Sequence, residues 1–144
     1  MSIVLHTDGA CRGNPGPGGW AAILDIDGER IELNGASPDT TNNRMELTAA
    51  IEGLSKVPAN AQVRVVSDSR YVIDGITKWI VGWRRKGWRK SDGKPVLNQD
   101  LWKDLAARTE ACRASWEWIE GHTGHPENEL ADQLANDAID ALLR

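Results

Sequence analysis

Four acidic residues set far apart in the chain, Asp8, Glu46, Asp68 and Asp132, carry its strongest chemical signal. Asp8 and Asp68 each close an apolar run rich in β-formers, residues 2–8 and Val63-Arg-Val-Val-Ser-Asp68, and each is followed by a small residue. Taken singly, Thr7-Asp8-Gly9 and Ser67-Asp68-Ser69 read as turn or cap residues. Two such ends on neighbouring parallel strands would instead deliver both carboxylates to one carboxyl edge, where open α/β sheets place their ligand crevices. Glu46 keeps two readings: the reciprocal partner of Asn43 in a capping box, or a carboxylate turned toward that crevice from the first turn of a helix. Asp132 lies one turn after Asn128, at the border of an apolar arc formed by Leu130, Leu134, Ala135, Ala138 and Ile139. Such a boundary carboxylate is either solvated or turned toward the same point.

Gathering four anions is unfavourable unless cations offset them. Oxygen donors favour Mg²⁺ or Mn²⁺ over zinc. Two such ions about 3.5–4 Å apart would clamp a phosphodiester, one activating water and the other stabilising the leaving oxygen. Beside these acids stands Gly121-His122-Thr-Gly-His125, where a glycine-flanked imidazole suits proton movement near neutral pH. His122 and His125 have the spacing of a zinc pair, but no cysteine or further histidine completes the set.

The charge pattern points the same way. The formal net charge is −4, yet Arg84, Arg85, Lys86, Arg89, Lys90 and Lys94 face only Asp92 between positions 84 and 94. An acidic body with one basic outcrop fits a metal site plus a phosphate-binding arm, and a solvated helix face explains the outcrop as well. Seven tryptophans accompany no phenylalanine. Trp79 and Trp83 are one helical turn apart and lead into the outcrop, followed by Trp88, an aromatic seam suited to a sugar–phosphate backbone. Trp102, Trp116 and Trp118 are expected to pack the core.

These side chains need a scaffold, and the sequence predicts one. Strands are expected over 2–8, 20–26 and 29–33, with Asp27-Gly28 as a hairpin turn between the second and third. Residues 43–56 have helical periodicity, with Asn43 as the cap and Pro58 just past the end. A fourth strand follows over 63–68, helical segments around 70–80 and 98–111, and a fifth strand over 115–120. A last helix starts at Pro126, with Glu127 and Glu129 favourable in its first turn. The pattern predicts one α/β domain over 1–144 with a five-stranded mixed sheet.

Other functions are excluded. Gly16-Pro-Gly18-Gly-Trp-Ala21 has dinucleotide-fingerprint spacing, but an alternating strand pattern follows where a helix is required. There is no Walker-type loop and no Gly-x-Ser-x-Gly elbow. Cys11 and Cys112 form no Cys-x-x-Cys pair and are expected as reduced thiols. No apolar run could span a bilayer and the first residues lack signal-peptide character, so no membrane association and a cytoplasmic location are expected.

Several blocks together resemble bacterial type 1 ribonuclease H, in order from residue 2 to about 140. They are Thr7-Asp8-Gly9-Ala-Cys11, the Gly13-Asn-Pro-Gly-Pro-Gly-Gly19 loop, Thr41-Asn-Asn-Arg-Met-Glu46-Leu, Ser67-Asp68-Ser-Arg-Tyr-Val and Gly121-His122-Thr-Gly-His-Pro-Glu-Asn-Glu. The resemblance implies a ribonuclease H-like fold with strand order 3-2-1-4-5, strand 2 antiparallel and helices on its faces. It implies an endonuclease that cuts the RNA strand of RNA–DNA hybrids with two Mg²⁺ ions (Mn²⁺ able to substitute), leaving 5′-phosphate and 3′-hydroxyl ends. Asp8, Glu46, Asp68 and Asp132 would be the metal-binding carboxylates, and His122 the loop histidine assisting proton transfer or product release. Asn14 and Asn42 would contact the minor groove, Cys11 the RNA side, and Thr41 and Asn98 a DNA phosphate. Trp79 and Trp83 match the DNA-strand channel, and residues 80–94, including Arg84, Arg85 and Lys86, resemble a basic handle; a monomer is implied. Arg70 departs from the family's frequent Gln, and Asp39 from a residue often basic. Two rivals share parts of the pattern: another nuclease of the same fold, such as a junction resolvase or transposase core, and a non-catalytic hybrid-binding module.

Overall fold

The computed structural model describes residues 1–121 and 124–144. Five strands form one sheet in the order β3-β2-β1-β4-β5: β1 (Ile3–Cys11), β2 (Gly16–Ile26), β3 (Glu29–Thr40), β4 (Gln62–Ser67) and β5 (Arg113–Trp118). β1 runs antiparallel to β2 and parallel to β4, and β4 runs parallel to β5. The expected order and orientations hold. At the β2–β3 hairpin Asp27 and Gly28 both take positive φ, 50° and 89°, the conformation that a two-residue turn between right-twisted strands requires.

The first three strands run longer than their local sequence predicts. β1 continues to Cys11 because β2 supplies antiparallel partners that far, pairing Cys11 with Gly18. The parallel β1–β4 ladder ends earlier, at Thr7 opposite Ser67. Asp8 therefore lies within a strand, not at its end. It is the first residue of β1 beyond the carboxyl end of the β4 ladder.

Helices cover both faces. On one side α1 (Asn42–Leu54) and α4 (Gln99–Ala111) pack over Leu5, Ala22, Leu24 and Val65, with Trp102 fully buried among them. On the other, α5 (Pro126–Leu142) lays Ala131 and Ala135 on Ala21 and Ile23. The small side chains let α5 lie close to the sheet. Between β4 and α4 the expected single helix is instead three pieces: α2 (Arg70–Asp74), a π-helical turn (Gly75–Trp79) and α3 (Ile80–Arg85). At Gly75 an added Cβ would fall 2.0 Å from the Trp102 ring, so the π turn sits directly on the core. Both cysteines are free thiols, as expected. Among the described residues no helix is long and apolar enough to cross a membrane.

Candidate metal pocket and its rim

Asp8, Glu46 and Asp68 come from three different elements and meet at one point. Each offers a carboxylate oxygen, and these oxygens lie within 4.8 Å of one another. Asp8 projects where the β1–β4 ladder stops, and Asp68 is the first residue beyond β4. The main chain at Asp68 is held on both sides: Ser67 Oγ accepts from the Ser69 N–H at 3.0 Å, and the Trp118 indole N–H donates to the Asp68 carbonyl at 3.0 Å.

Glu46 reaches the pocket because α1 is capped by Thr41, not by Asn43. Thr41 Oγ1 accepts from the Arg44 N–H at 3.2 Å. With the cap two residues earlier, Glu46 is no longer placed to close a capping box, and it is buried at 5% exposure. Asp132 lines the same pocket of about 540 Å³ from α5, outside the 4.8 Å set. Its Oδ1 accepts from Asn136 Nδ2 at 3.4 Å and its carbonyl from the same nitrogen at 3.0 Å. A larger cleft, of about 610 Å³, lies at the opposite end of β1, β4 and β5. Its lining includes no acidic side chain, so chemistry singles out the smaller pocket.

Among the described residues no ion pair offsets the cluster. Burial, then the neighbouring Asp68 carboxylate, push Asp8 up to about 8, and burial followed by the Asp8 charge hold Glu46 well above the usual carboxylate range. Glu46 Oε2 is buried with no hydrogen-bond partner. An all-oxygen donor set with an orphaned buried carboxylate oxygen and proton-retaining acids fits a hard divalent cation.

A stability prediction follows from Asp8. In the unfolded chain its carboxyl titrates near 3.8, and in the fold near 8. Folding thus takes up a proton, and this group's contribution is fully present below about pH 4 and lost as pH rises through about 8. Without metal, Asp8→Asn should therefore stabilise the protein at pH 8.5 and raise its Tm by several degrees. Scanning calorimetry in EDTA checks it; a lower Tm for the variant would contradict the unmet charge.

The expected substrate residues form two groups around this pocket. Cys11 and Asn42 line it. The Cys11 thiol donates to the Gly13 carbonyl at 2.7 Å, and Asn14 Oδ1 accepts from the Asn42 N–H at 3.0 Å, tying the β1–β2 loop to the start of α1. Asn98 is drawn in by residues the sequence reading did not single out. Arg44 Nη1 donates to Asn98 Oδ1 at 3.3 Å while the same guanidinium grips Asp100 at 3.1 and 2.9 Å. Asn98 Nδ2 and the Trp102 indole both donate to the Tyr71 hydroxyl, at 3.1 and 2.9 Å. The one available signal was position: Tyr71 lies three residues after Asp68, and Arg44 two before Glu46.

The second group is the basic outcrop. Trp79, Trp83 and Trp88 stack in series, with centroids 5.8 and 6.3 Å apart, and Trp83 leans on buried Trp102 at 5.2 Å. Trp79, Trp83 and Lys86 line a groove of about 400 Å³ together with Lys78, Arg89 and Lys90. Arg84 is turned away to pair with Glu110 at 2.5 Å, whereas Arg85 and Lys86 are exposed. Trp118 corrects the core expectation: it is 36% exposed at the edge of the sheet and carries Arg70 on its face. Trp116 is half-buried and only Trp102 is fully buried. His122 lies outside the described residues.

Comparison with known proteins agrees with this geometry. The RNase H family profile matches residues 1–140. The chain is 51% identical over 138 residues to the ribonuclease H of Erythrobacter litoralis, covering 96% of each protein. It is 54% identical over 136 residues to that of Alkalilimnicola ehrlichii, covering 94% of this chain and 93% of the relative. Among solved structures it superposes on LC9-RNase H1, a type 1 RNase H with the type 2 active-site motif, with a TM-score of 0.86 and 31% identity over 96% of this chain and 72% of that one. LC11-RNase H1, solved in complex with an RNA/DNA hybrid, gives a TM-score of 0.74 and 25% identity over 99% of this chain and all of the other. By sequence along nearly its whole length and by fold, this chain belongs to the RNase H family.

Proposed function

We propose that the protein is an endonuclease that hydrolyses the RNA strand of RNA–DNA hybrids, leaving 5′-phosphate and 3′-hydroxyl ends. The observation that carries this reading is the convergence of buried Asp8 and Glu46 with half-buried Asp68, one Glu46 oxygen being left without a hydrogen-bond partner. Family membership and the hybrid bound to LC11-RNase H1 support the choice of substrate. Asp8, Glu46, Asp68 and Asp132 would hold two divalent ions, Mg²⁺ foremost and Mn²⁺ as a substitute. Such ions, when bound, supply an activated water and stabilise the leaving oxygen of a phosphodiester.

The chain's own groups do the rest. Burial of Asp8 and Glu46 holds their oxygens fixed and leaves them little other counter-charge. Asn14 has its side-chain oxygen committed to Asn42, which leaves its NH₂ as a donor for minor-groove acceptors and 2′-hydroxyls. Thr41 and Asn98, braced by Arg44 and Tyr71, would hold a DNA phosphate and Cys11 would face the RNA side. His122, outside the described residues, would assist proton transfer or product release. Trp79 and Trp83 would line the channel of the DNA strand, and the basic handle over 80–94, with Arg84, Arg85 and Lys86, would guide it. On this reading residues 1–144 are one catalytic domain acting as a monomer in the cytoplasm.

A labelled hybrid incubated with Mg²⁺, beside RNA-duplex and DNA-duplex controls, tests the function. Cleavage confined to the hybrid's RNA strand and abolished by EDTA is expected; preferential cutting of DNA duplex or four-way junctions would favour the resolvase-type reading, and binding without turnover the non-catalytic one. For the handle, replacing Arg84, Arg85 and Lys86 together by Ala should lower the slope of log K against log salt by about 2, because Arg84 is already paired and each free phosphate contact contributes roughly 0.9. An unchanged slope in a filter-binding titration would return the outcrop to a solvated helix face.

A further inference from the structure

We propose that Arg70, stacked on Trp118, holds a backbone phosphate of the RNA strand beside the carboxylate pocket. The contact deepens the hydrolytic reading of that pocket and rests on it. The Arg70 guanidinium carbon lies 3.8 Å from the Trp118 ring centroid, within cation–π range. The ring is itself fastened: its indole N–H donates to the Asp68 carbonyl, so the cation is mounted on the residue that contributes a carboxylate to the cluster. Among the described residues lining the pocket, Arg70 carries the one positive side chain. It is exposed, and no ion pair among the described residues uses it.

That combination points outward. Stacking covers a guanidinium's face and leaves its in-plane N–H edge available, the edge that grips phosphate oxygens two at a time. A basic group meant only to neutralise the acids would pair with one of them, in the way that Arg44 pairs with Asp100 outside the pocket. Proximity to the pocket assigns the phosphate to the strand that is cut. The bland alternative is an arginine that merely shields an exposed indole, and it predicts no electrostatic effect on binding.

Hybrid affinity measured in EDTA from 50 to 200 mM KCl, for the wild type, Arg70→Ala and Arg70→Lys, separates the two. Loss of one phosphate contact removes about 0.9 from the salt slope, so the wild type's advantage over Arg70→Ala should shrink about threefold across that range. Arg70→Lys keeps its charge and should keep the slope. Neutral methylphosphonate linkages, placed one at a time, should cost the wild type affinity at one RNA-strand position near the cut and cost Arg70→Ala nothing there. Parallel salt lines for the wild type and Arg70→Ala would overturn the contact, and a cost found on the DNA strand alone would overturn the strand assignment. A wild type that neither binds nor cuts hybrid removes the hydrolytic reading itself, and the contact with it; binding and cutting with parallel lines removes Arg70 alone.

Discussion

Asp8→Asn should lower Mg²⁺-dependent hybrid cleavage by roughly 10³-fold or more, because cation clamping of a phosphodiester supplies several kcal/mol and each 1.36 kcal/mol is tenfold in rate. The substitution keeps size and shape. Asp8 pairs with Ala21 through the backbone, so the sheet is untouched. What changes is charge at the most crowded point of the cluster, where burial and Asp68 already push Asp8 up to about 8. Removing that charge stabilises the metal-free fold while it removes the reaction. Activity and stability moving in opposite directions mark a residue kept for function at a cost to the fold, and a structural aspartate would not show it. Single-turnover cleavage beside calorimetry reads both; near-normal cleavage by Asp8→Asn takes Asp8 out of the metal site.

Gly9→Ala should be nearly as damaging, for a mechanical reason. A Cβ built at Gly9 would fall 2.5 Å from the Glu46 amide nitrogen and 2.7 Å from the Met45 carbonyl carbon. Both are backbone atoms of α1, which cannot swing aside as the end of a long side chain can. The helix must move, and it carries Glu46 with it. Overpacking of this kind costs about 3 kcal/mol. A displacement of about 1 Å at one of three converging carboxylates is expected to cost on the order of 10²-fold in rate beyond the stability loss. Urea unfolding and cleavage measured well below the variant's midpoint separate the two effects. Wild-type values in both would mean that α1 does not approach β1 as closely as described.

How much of this was legible in the sequence varies with the physics behind each feature. The strands themselves, the acidic positions and the helix after residue 40 could be read because β-branched runs, a turn pair such as Asp27-Gly28 and an apolar helical face are local signals, whereas the strand order was implied only by the resemblance to type 1 ribonuclease H. The placement of Asp8 inside β1 was hidden, since it depends on β2 extending past the end of the parallel ladder. The cap of α1 was ambiguous for a local reason: Thr41, Asn42 and Asn43 are all capping residues in a row, and the choice is made by tertiary contacts such as Asn14 accepting from Asn42. That choice decides whether Glu46 serves the helix or the pocket.

Trp118 and the π turn were illegible for different reasons. Trp116 and Trp118 share a face by alternation, but β5 is an edge strand, and Trp118 at its last position is exposed where Trp116 is half-buried. The π turn adds one residue to a helical stretch whose composition gives no warning, and it becomes intelligible only from Gly75 lying against Trp102. Asp132, placed by its periodicity at the border of the apolar arc, is half-buried at the pocket's edge.

Anomalous scattering from Mn²⁺, in crystals of the protein with a cleavage-resistant hybrid, tests the core of this account most directly. Two peaks about 3.5–4 Å apart, ligated by Asp8, Glu46 and Asp68 and flanked by Asp132, with a phosphate of the RNA strand against them, are the predicted result. Manganese bound elsewhere on the surface, with these carboxylates left without metal beside a correctly seated hybrid, would contradict it.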